Sequence, residues 1–257
     1  MRIAVLLKEV PDTYSDREMN LETGLTDRSG DVVADEVSER AVEAALRIAE
    51  AGEGIEVEIL SVGPESAADS VRRGIAMGAS EAYIVSDEAL TGADVTLTAQ
   101  VLAKLVEKQG YDLVVAGGMS SDGAAGVVAP FVAELLGWPV LTNLTELSID
   151  GDSVRATQAS ENATAELSAQ LPAVVSVADG FADPRYPNFK GLMAAKKKEL
   201  RAVTLAELGV DPEDFTHPRA IMVGIERRPE RERGEIIDAN STAAARLVDF
   251  LESKNLI

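Results

Sequence analysis

Residues 111–139 read YDLVVAGGMSSDGAAGVVAPFVAELLGWP, and the fold class turns on how this stretch is parsed. Asp112 to Ala116 is a short, β-branched apolar run, the pattern of a strand buried in a parallel sheet. Val127, Val128, Phe131, Val132, Leu135 and Leu136 are spaced for one helix face, and Gly137 before Pro139 stops that helix. Between the two lie Gly117, Gly118, Met119, Ser120, Ser121, Asp122, Gly123, Ala124, Ala125 and Gly126, where nothing but Met119 is bulky. A strand-to-helix turn this bare lets a ligand approach the backbone. The first N–H groups of the helix then face it unpaired, and the helix dipole favours a phosphate. A tight turn that needs glycine for its own dihedrals reads equally well on this stretch alone.

Working outward, the same alternation fills the first half of the chain. Ile3–Leu7 reads as a strand, Glu36–Glu50 as an amphipathic helix, and Val57–Val62 as a strand. Ser66–Met77 reads as a helix, Ala82–Val85 as a strand and Val95–Lys108 as a helix, before the quoted unit and a further strand starting at Val140–Thr142. Repeated strand–helix units imply a mostly parallel sheet with helices on both faces, which places ligands at the carboxyl ends of its strands. The turns after Ala116 and after Ile59 (SVGPES) both fall on that rim.

Past Asn143 the pattern changes. LTELSIDGDSVRATQ has the alternation of a hairpin with Asp150 and Gly151 at its turn. AVVSV within ELSAQLPAVVSVAD can rejoin the sheet. GFADPRYPNFKGLMAAKKKELR carries two prolines, aromatics that read as exposed, and a basic helix. HPRAIMVGIERRPERERGEII reads as extended and charge-rich, and Asn240 or Ser241 can cap a last helix carrying Leu247, Val248, Phe250 and Leu251.

The composition narrows the function. The 257 residues are 46% hydrophobic, which supports one large domain with appendages. No apolar stretch is long enough to cross a bilayer, and MRIAVLLKEVPD lacks the features of a signal peptide, so the expected compartment is the cytoplasm. With no cysteine and one histidine, thiolate nucleophiles, disulfides and Cys/His zinc clusters are excluded. His217, beside a proline in DFTHPRA, reads as a surface turn residue. A formal net charge of −20, from 44 acidic against 24 basic residues, argues against nucleic acid as a partner. Spread over the helices, that charge reads as a surface adapted to high salt and predicts a halophilic source.

Together these features resemble the β subunit of electron transfer flavoprotein, in a haloarchaeal-like form. RIAVLLKEVPD is similar to that family's first strand and lysine-containing turn. SVGPESAADSVRRGIAMGAS resembles its Gly-Pro loop and the helix after it, and YDLVVAGGMSSDGAAG stands where the family has its nucleotide loop. LPAVVSVADGFADPRYPNFKGLMAAKKKEL resembles its Leu-Pro-Ala-Val-Val strand, Pro-Arg-Tyr segment and lysine-rich helix. The resemblance implies a Rossmann-like fold of the adenine-nucleotide α-hydrolase type, with a hairpin and an extended C-terminal arm. It implies a non-enzymatic electron carrier, a heterodimer with an α subunit, whose FAD site β completes. A second nucleotide is implied on β itself, structural AMP or, in bifurcating members, a second FAD.

Carried onto this sequence, that nucleotide falls to Leu6, to Asp35, Glu36, Val37 and Ser38, to Val62, and to the loop with Gly117, Met119, Asp122, Gly123, Ala124, Ala125, Gly126 and Val127. Asp122 also suits the cap of the following helix. Met119 stands where the family has glutamine, and Ala125 and Val127 replace polar residues. The expected contacts are therefore mainly backbone ones, each lost side-chain hydrogen bond being worth ~1–2 kcal/mol. Arg185, Tyr186, Phe189, Leu192 and Met193 fall in the family's recognition loop for flavin-dependent dehydrogenases, with Phe189 at the anchor position held by leucine elsewhere. The Lys196–Lys198 run would steer acidic partners, while the family's acidic patch is thinned to Glu161 and Glu166. The implied division is a nucleotide-binding domain over 1–234, with its recognition loop at about 183–198, and a partner-contacting arm over 235–257. A stand-alone adenine-nucleotide sensor of the same fold is the competing reading.

Overall fold

Alternation along the first strand already demands two covered faces. The computed structural model describes residues 1–15, 17–231 and 233–257. In chain order its elements begin with Arg2–Leu6 (β1), Glu9–Pro11 (β2), Val32–Ala34 (β3), Glu36–Ala51 (α1), Glu56–Val62 (β4), Ala68–Met77 (α2) and Glu81–Val85 (β5). There follow Val95–Gln109 (α3), Leu113–Gly117 (β6), Val128–Leu136 (α4), Val140–Asp150 (β7), Ser153–Ala159 (β8), Thr164–Gln170 (β9) and Ala173–Val177 (β10). The last are Phe189–Lys197 (α5), Arg201–Val203 (β11), Leu205–Leu208 (α6) and Ala243–Ser253 (α7).

Nine strands form one sheet in the order β11-β5-β4-β1-β6-β10-β7-β8-β9. From β11 through β7 every neighbouring pair is parallel, and β7-β8-β9 is an antiparallel extension. Ile3 and Val5 face a cluster built with Ala41, Val42 and Ile48 of α1 and Val71 and Ile75 of α2. Ala4 and Leu6 face the opposite cluster, with Leu97, Val101 and Leu105 of α3 and Val132 of α4. The sheet is therefore doubly wound, as the strand–helix alternation predicts. From β1 the chain moves outward to β4 and β5, then crosses back to place β6 on the other flank of β1. The carboxyl ends of β1 and β6 thus bound the crevice where strand order reverses, the place where open α/β sheets take ligands.

Local chemistry fixes the boundaries. Asp35 and Asp94 cap α1 and α3 by accepting from the amides of Ser38 and Leu97. Gly110 and Gly137, at φ +71° and +67°, end α3 and α4 in the left-handed conformation. The Asp150–Gly151 hairpin forms as expected between β7 and β8. Three features go beyond the sequence reading: the β2–β3 ribbon, the third antiparallel strand β9, and the β11–α6 unit. The last helix is also capped differently. Thr242 is its N-cap and makes no side-chain cap bond, while Asn240 accepts from the Thr242 amide in a turn before it.

Two compact units emerge, Met1–Val223 and Gly224–Ile257. The second holds α7, none of whose residues is buried and whose Leu247, Val248 and Phe250 are exposed. Among the described residues no helix is long and apolar enough to cross a membrane.

Candidate functional site

The crevice between β1 and β6 gathers most of the residues expected to hold a nucleotide. Leu6 ends β1 opposite Ala116, Val62 ends β4, and Gly117 ends β6. Asp35, only 1% exposed, accepts from the Ser38 amide and hydroxyl through one oxygen and from the Ser121 amide, at 2.9 Å, through the other. The start of α1, with Glu36 and Val37 in its first turn, is thereby tied to the loop after β6.

The glycines of this loop divide between two tasks. At Gly117 a Cβ would stand 3.0 Å from the Val37 carbonyl carbon, and at Gly118 2.6 Å from the Asn143 side-chain oxygen. Both are required by the protein's own packing rather than by ligand approach, and neither takes a positive φ, so the turn's dihedrals do not call for them either. Gly123, Ala124, Ala125 and Gly126 are exposed, and it is this half of the loop that stays open. Ala124 takes φ +49° and Gly126 φ +67°. For alanine that conformation costs about 1–2 kcal/mol, a strain of the kind found at functional loops.

Asp122 does not cap α4, contrary to one of its two sequence readings: the N-cap is Val127, five residues on. Asp122 instead joins Lys8 Nζ at 2.6 Å and Arg28 Nη2 at 2.9 Å, and accepts from the Ser120 hydroxyl and the Gly123 amide. Burial pushes its carboxyl up, but the hydrogen bond and charge of Lys8, with Ser120 and Gly123, prevail and bring its pKa down to about 2. Arg28 was not singled out from sequence, and Lys8 and Ser120 entered only as part of the lysine-containing turn and the bare loop, with no role at the site. The available signal was charge: a lysine just past β1 and an aspartate just past β6, on adjacent strands.

A phosphate fits the donors that remain. Because α4 starts at Val128 after an N-cap, Val127, that makes no side-chain cap bond, and its third residue is Pro130, the amides of Val128 and Ala129 are the first-turn donors; the first helical bond runs from Phe131 to Val127. Earlier in the loop, the Ser121 hydroxyl is buried without a hydrogen-bond partner among the described residues. Met119 is exposed.

The second set of residues lies away from the crevice, on α5 and the segment before it. Arg185 binds Glu43 and Glu50 of α1, which hold its guanidinium well above the usual range, Glu50 most strongly. Its charge is thus spent on anchoring the loop. Asn188 caps α5, Gly191 packs directly on the Ala76 carbonyl at the end of α2, and Arg72 donates to the Ala195 and Lys198 carbonyls at the far end. On this fixed base Phe189 is 78% and Tyr186 91% exposed, and Leu192 and Met193 continue the apolar face at the next helical turn. Lys198 pairs with Glu81, so the lysine run is not uniformly free.

Comparison with known proteins agrees with this architecture. The family model described as "Electron transfer flavoprotein domain" matches residues 23–208. The chain is 39% identical over 264 residues to "Electron transfer flavoprotein subunit beta" of Mycobacterium leprae, covering 99% of each. It is 34% identical over 262 residues to the protein of that name from Thermoanaerobacterium thermosaccharolyticum, covering 100% of each. With the Bacillus subtilis protein of that name it shares 32% over 257 residues, 99% of this chain and 98% of the other. End-to-end similarity of this kind, on a doubly wound sheet with this loop at its switch point, means that the chain belongs to the electron transfer flavoprotein family, as a β subunit.

Proposed function

We propose that this β subunit pairs with an α subunit, holds one AMP in the crevice between β1 and β6, and walls one side of a shared FAD site. Flavin-dependent dehydrogenases would dock on the exposed face of α5. When bound between the subunits, FAD supplies the electron-accepting and electron-donating chemistry, while AMP supplies none and completes the fold. The observation that carries the nucleotide reading is the uncapped N-terminus of α4, reached from the end of β6 where strand order reverses. Asp122 offsets only one of the two positive charges of Lys8 and Arg28, so the triad leaves a net positive charge beside the loop that suits a phosphate. Gly123, Ala124, Ala125 and Val127 would contribute backbone, with Leu6, Val62 and the first turn of α1 forming the walls. Arg185 would position the docking face, with Tyr186, Phe189, Leu192 and Met193 making its contacts. Family membership sets the stand-alone sensor aside.

Co-expression with a candidate α subunit, followed by chromatography of the nucleotides released by heat, tests the reading. One FAD and one AMP per pair are expected. Two FAD and no AMP would overturn the AMP assignment, and a chain that pairs with no α subunit would overturn the heterodimer.

A further inference from the structure

We infer that the hairpin between β2 and β3 is a gate across the crevice, latched at its tip by Met222; the inference rests on the nucleotide reading above. Met19 bridges Thr26, and the Asn20 and Asp27 amides donate to the Leu25 and Glu18 carbonyls at 2.8 and 2.9 Å. At its base the hairpin is tied to the loop after β6: Arg28 pairs with Asp122 at 2.9 Å, and Arg17 donates to the Ser121 carbonyl. Its tip meets the connection from β5 to α3, where Leu25 Cδ2 is 3.4 Å from the place a Gly92 Cβ would take, and Met222 covers Gly24. The sheet here runs β5-β4-β1-β6. A segment fastened beside β6 and again beside β5 therefore passes over the carboxyl ends of β1 and β4, which carry Leu6 and Val62. β5 and β6 lie three strand spacings apart, about 14 Å, and the stretch from Arg17 to Gly24 spans up to about 23 Å when extended.

The two fastenings differ in strength. A two-stranded hairpin is marginal in water by itself, and from Arg17 to Ser29 only Gly24 is buried. Such a segment opens locally at a free energy well below that of global unfolding. The base holds to an Asp122 side chain that is 4% exposed, so its ion pair is screened little. The tip depends on one methionine that is itself 55% exposed. Its seat exists because Gly24, at φ +70°, has no Cβ, which would overlap the Met222 sulfur. The coil that carries Met222 is pinned to the start of α3, the Ala220 amide donating to Asp94 at 2.6 Å. Opening therefore begins at the tip and turns about the base, uncovering the ends of β1 and β4.

The test measures binding and release of radiolabelled AMP on the full chain by rapid filtration. Met222→Ala frees the tip and leaves Leu6, Val62 and the loop after β6 in place. Removing a side chain this exposed should move Tm by less than about 2 °C. A gate passes its ligand in both directions, so association and release should each quicken about tenfold while Kd changes less than about threefold. Met222→Leu, which keeps an apolar cap on Gly24, should return both rates to those of the parent. Rates that ignore Met222→Ala, in a chain whose parent binds AMP, overturn the gate and leave the crevice reading standing. Faster release with unchanged association makes the hairpin a contact of the nucleotide and also overturns the gate. A parent chain that retains no AMP overturns the crevice reading, and the gate falls with it.

Discussion

Asp122 shows how much of the site a single carboxylate organises. Its side chain, 4% exposed, is held by Lys8 from the exit of β1 and by Arg28 from the segment before β3, so three separate stretches meet on it. Its pKa falls from the ordinary 3.8 to about 2. A depressed carboxylate pKa contributes stability that is fully present above the unfolded value and is lost as pH falls through the folded one. The window is therefore roughly pH 4 down to pH 2, and the contribution about 2 kcal/mol at 1.36 kcal/mol per pKa unit. Asp122→Asn should cost about 2 kcal/mol at pH 7, read from urea midpoints, and the gap from the parent should close as pH approaches 2. A gap independent of pH would refute this account of the triad. Lys8 and Arg28 are 114 and 94 residues from Asp122 in sequence. Only the strand order that puts β1 beside β6 brings them together, which is why the aspartate was legible as a candidate and its partners were not.

Helix α5 carries the corresponding lesson for elements. Its sequence, with two prolines before it and lysines at its end, announced an exposed basic helix, and the exposure of Phe189 agrees with that reading. What sequence could not announce is the seat beneath it, since Gly191 reads as a weak spot in a helix rather than as the point where two helices touch. A Cβ there would overlap the Ala76 carbonyl. Gly191→Ala should push α5 off α2, cost about 1–3 kcal/mol, and speed amide hydrogen exchange along α5 more than elsewhere. Phe189→Ala is the contrasting change. With 78% of the residue in solvent, its removal should alter stability by less than about 0.5 kcal/mol, yet slow reduction by the dehydrogenase with flavin content unchanged. Unaltered reduction kinetics would remove the docking role. The parallel strands were the easiest elements to read, because burial on both faces makes them continuous apolar runs. Thr164–Gln170 (TAELSAQ) was hidden for the opposite reason: its half-covered face is mostly alanine, which gives alternation little contrast.

At the scale of the molecule, the charge asymmetry is sharper than the count of −20 suggests. Several of the few cations are committed to buried or half-buried carboxylates: Arg2 to Glu58, Lys8 and Arg28 to Asp122, Arg47 and Arg185 to Glu43. Each such pairing removes a positive charge from the exterior, leaving the surface acids with fewer partners than composition alone implies. The two populations respond differently to salt. Close pairs with one buried member are screened little, whereas repulsion between exposed carboxylates many ångströms apart is screened strongly once the Debye length, about 10 Å at 0.1 M, shrinks to about 3 Å at 1 M. Raising KCl over that interval should therefore lift Tm by at least ~5 °C, each kcal/mol being worth roughly 2–4 °C in a chain of this size. Screening also fixes how the gain depends on pH: it should dwindle as pH falls to about 4, where surface carboxylates begin to take up protons. General salting-out would instead lift Tm by a similar amount at both pH values. Scans across this grid of salt and pH separate the two, and a Tm that ignores KCl at neutral pH would mean that the acidic surface carries no repulsion to relieve.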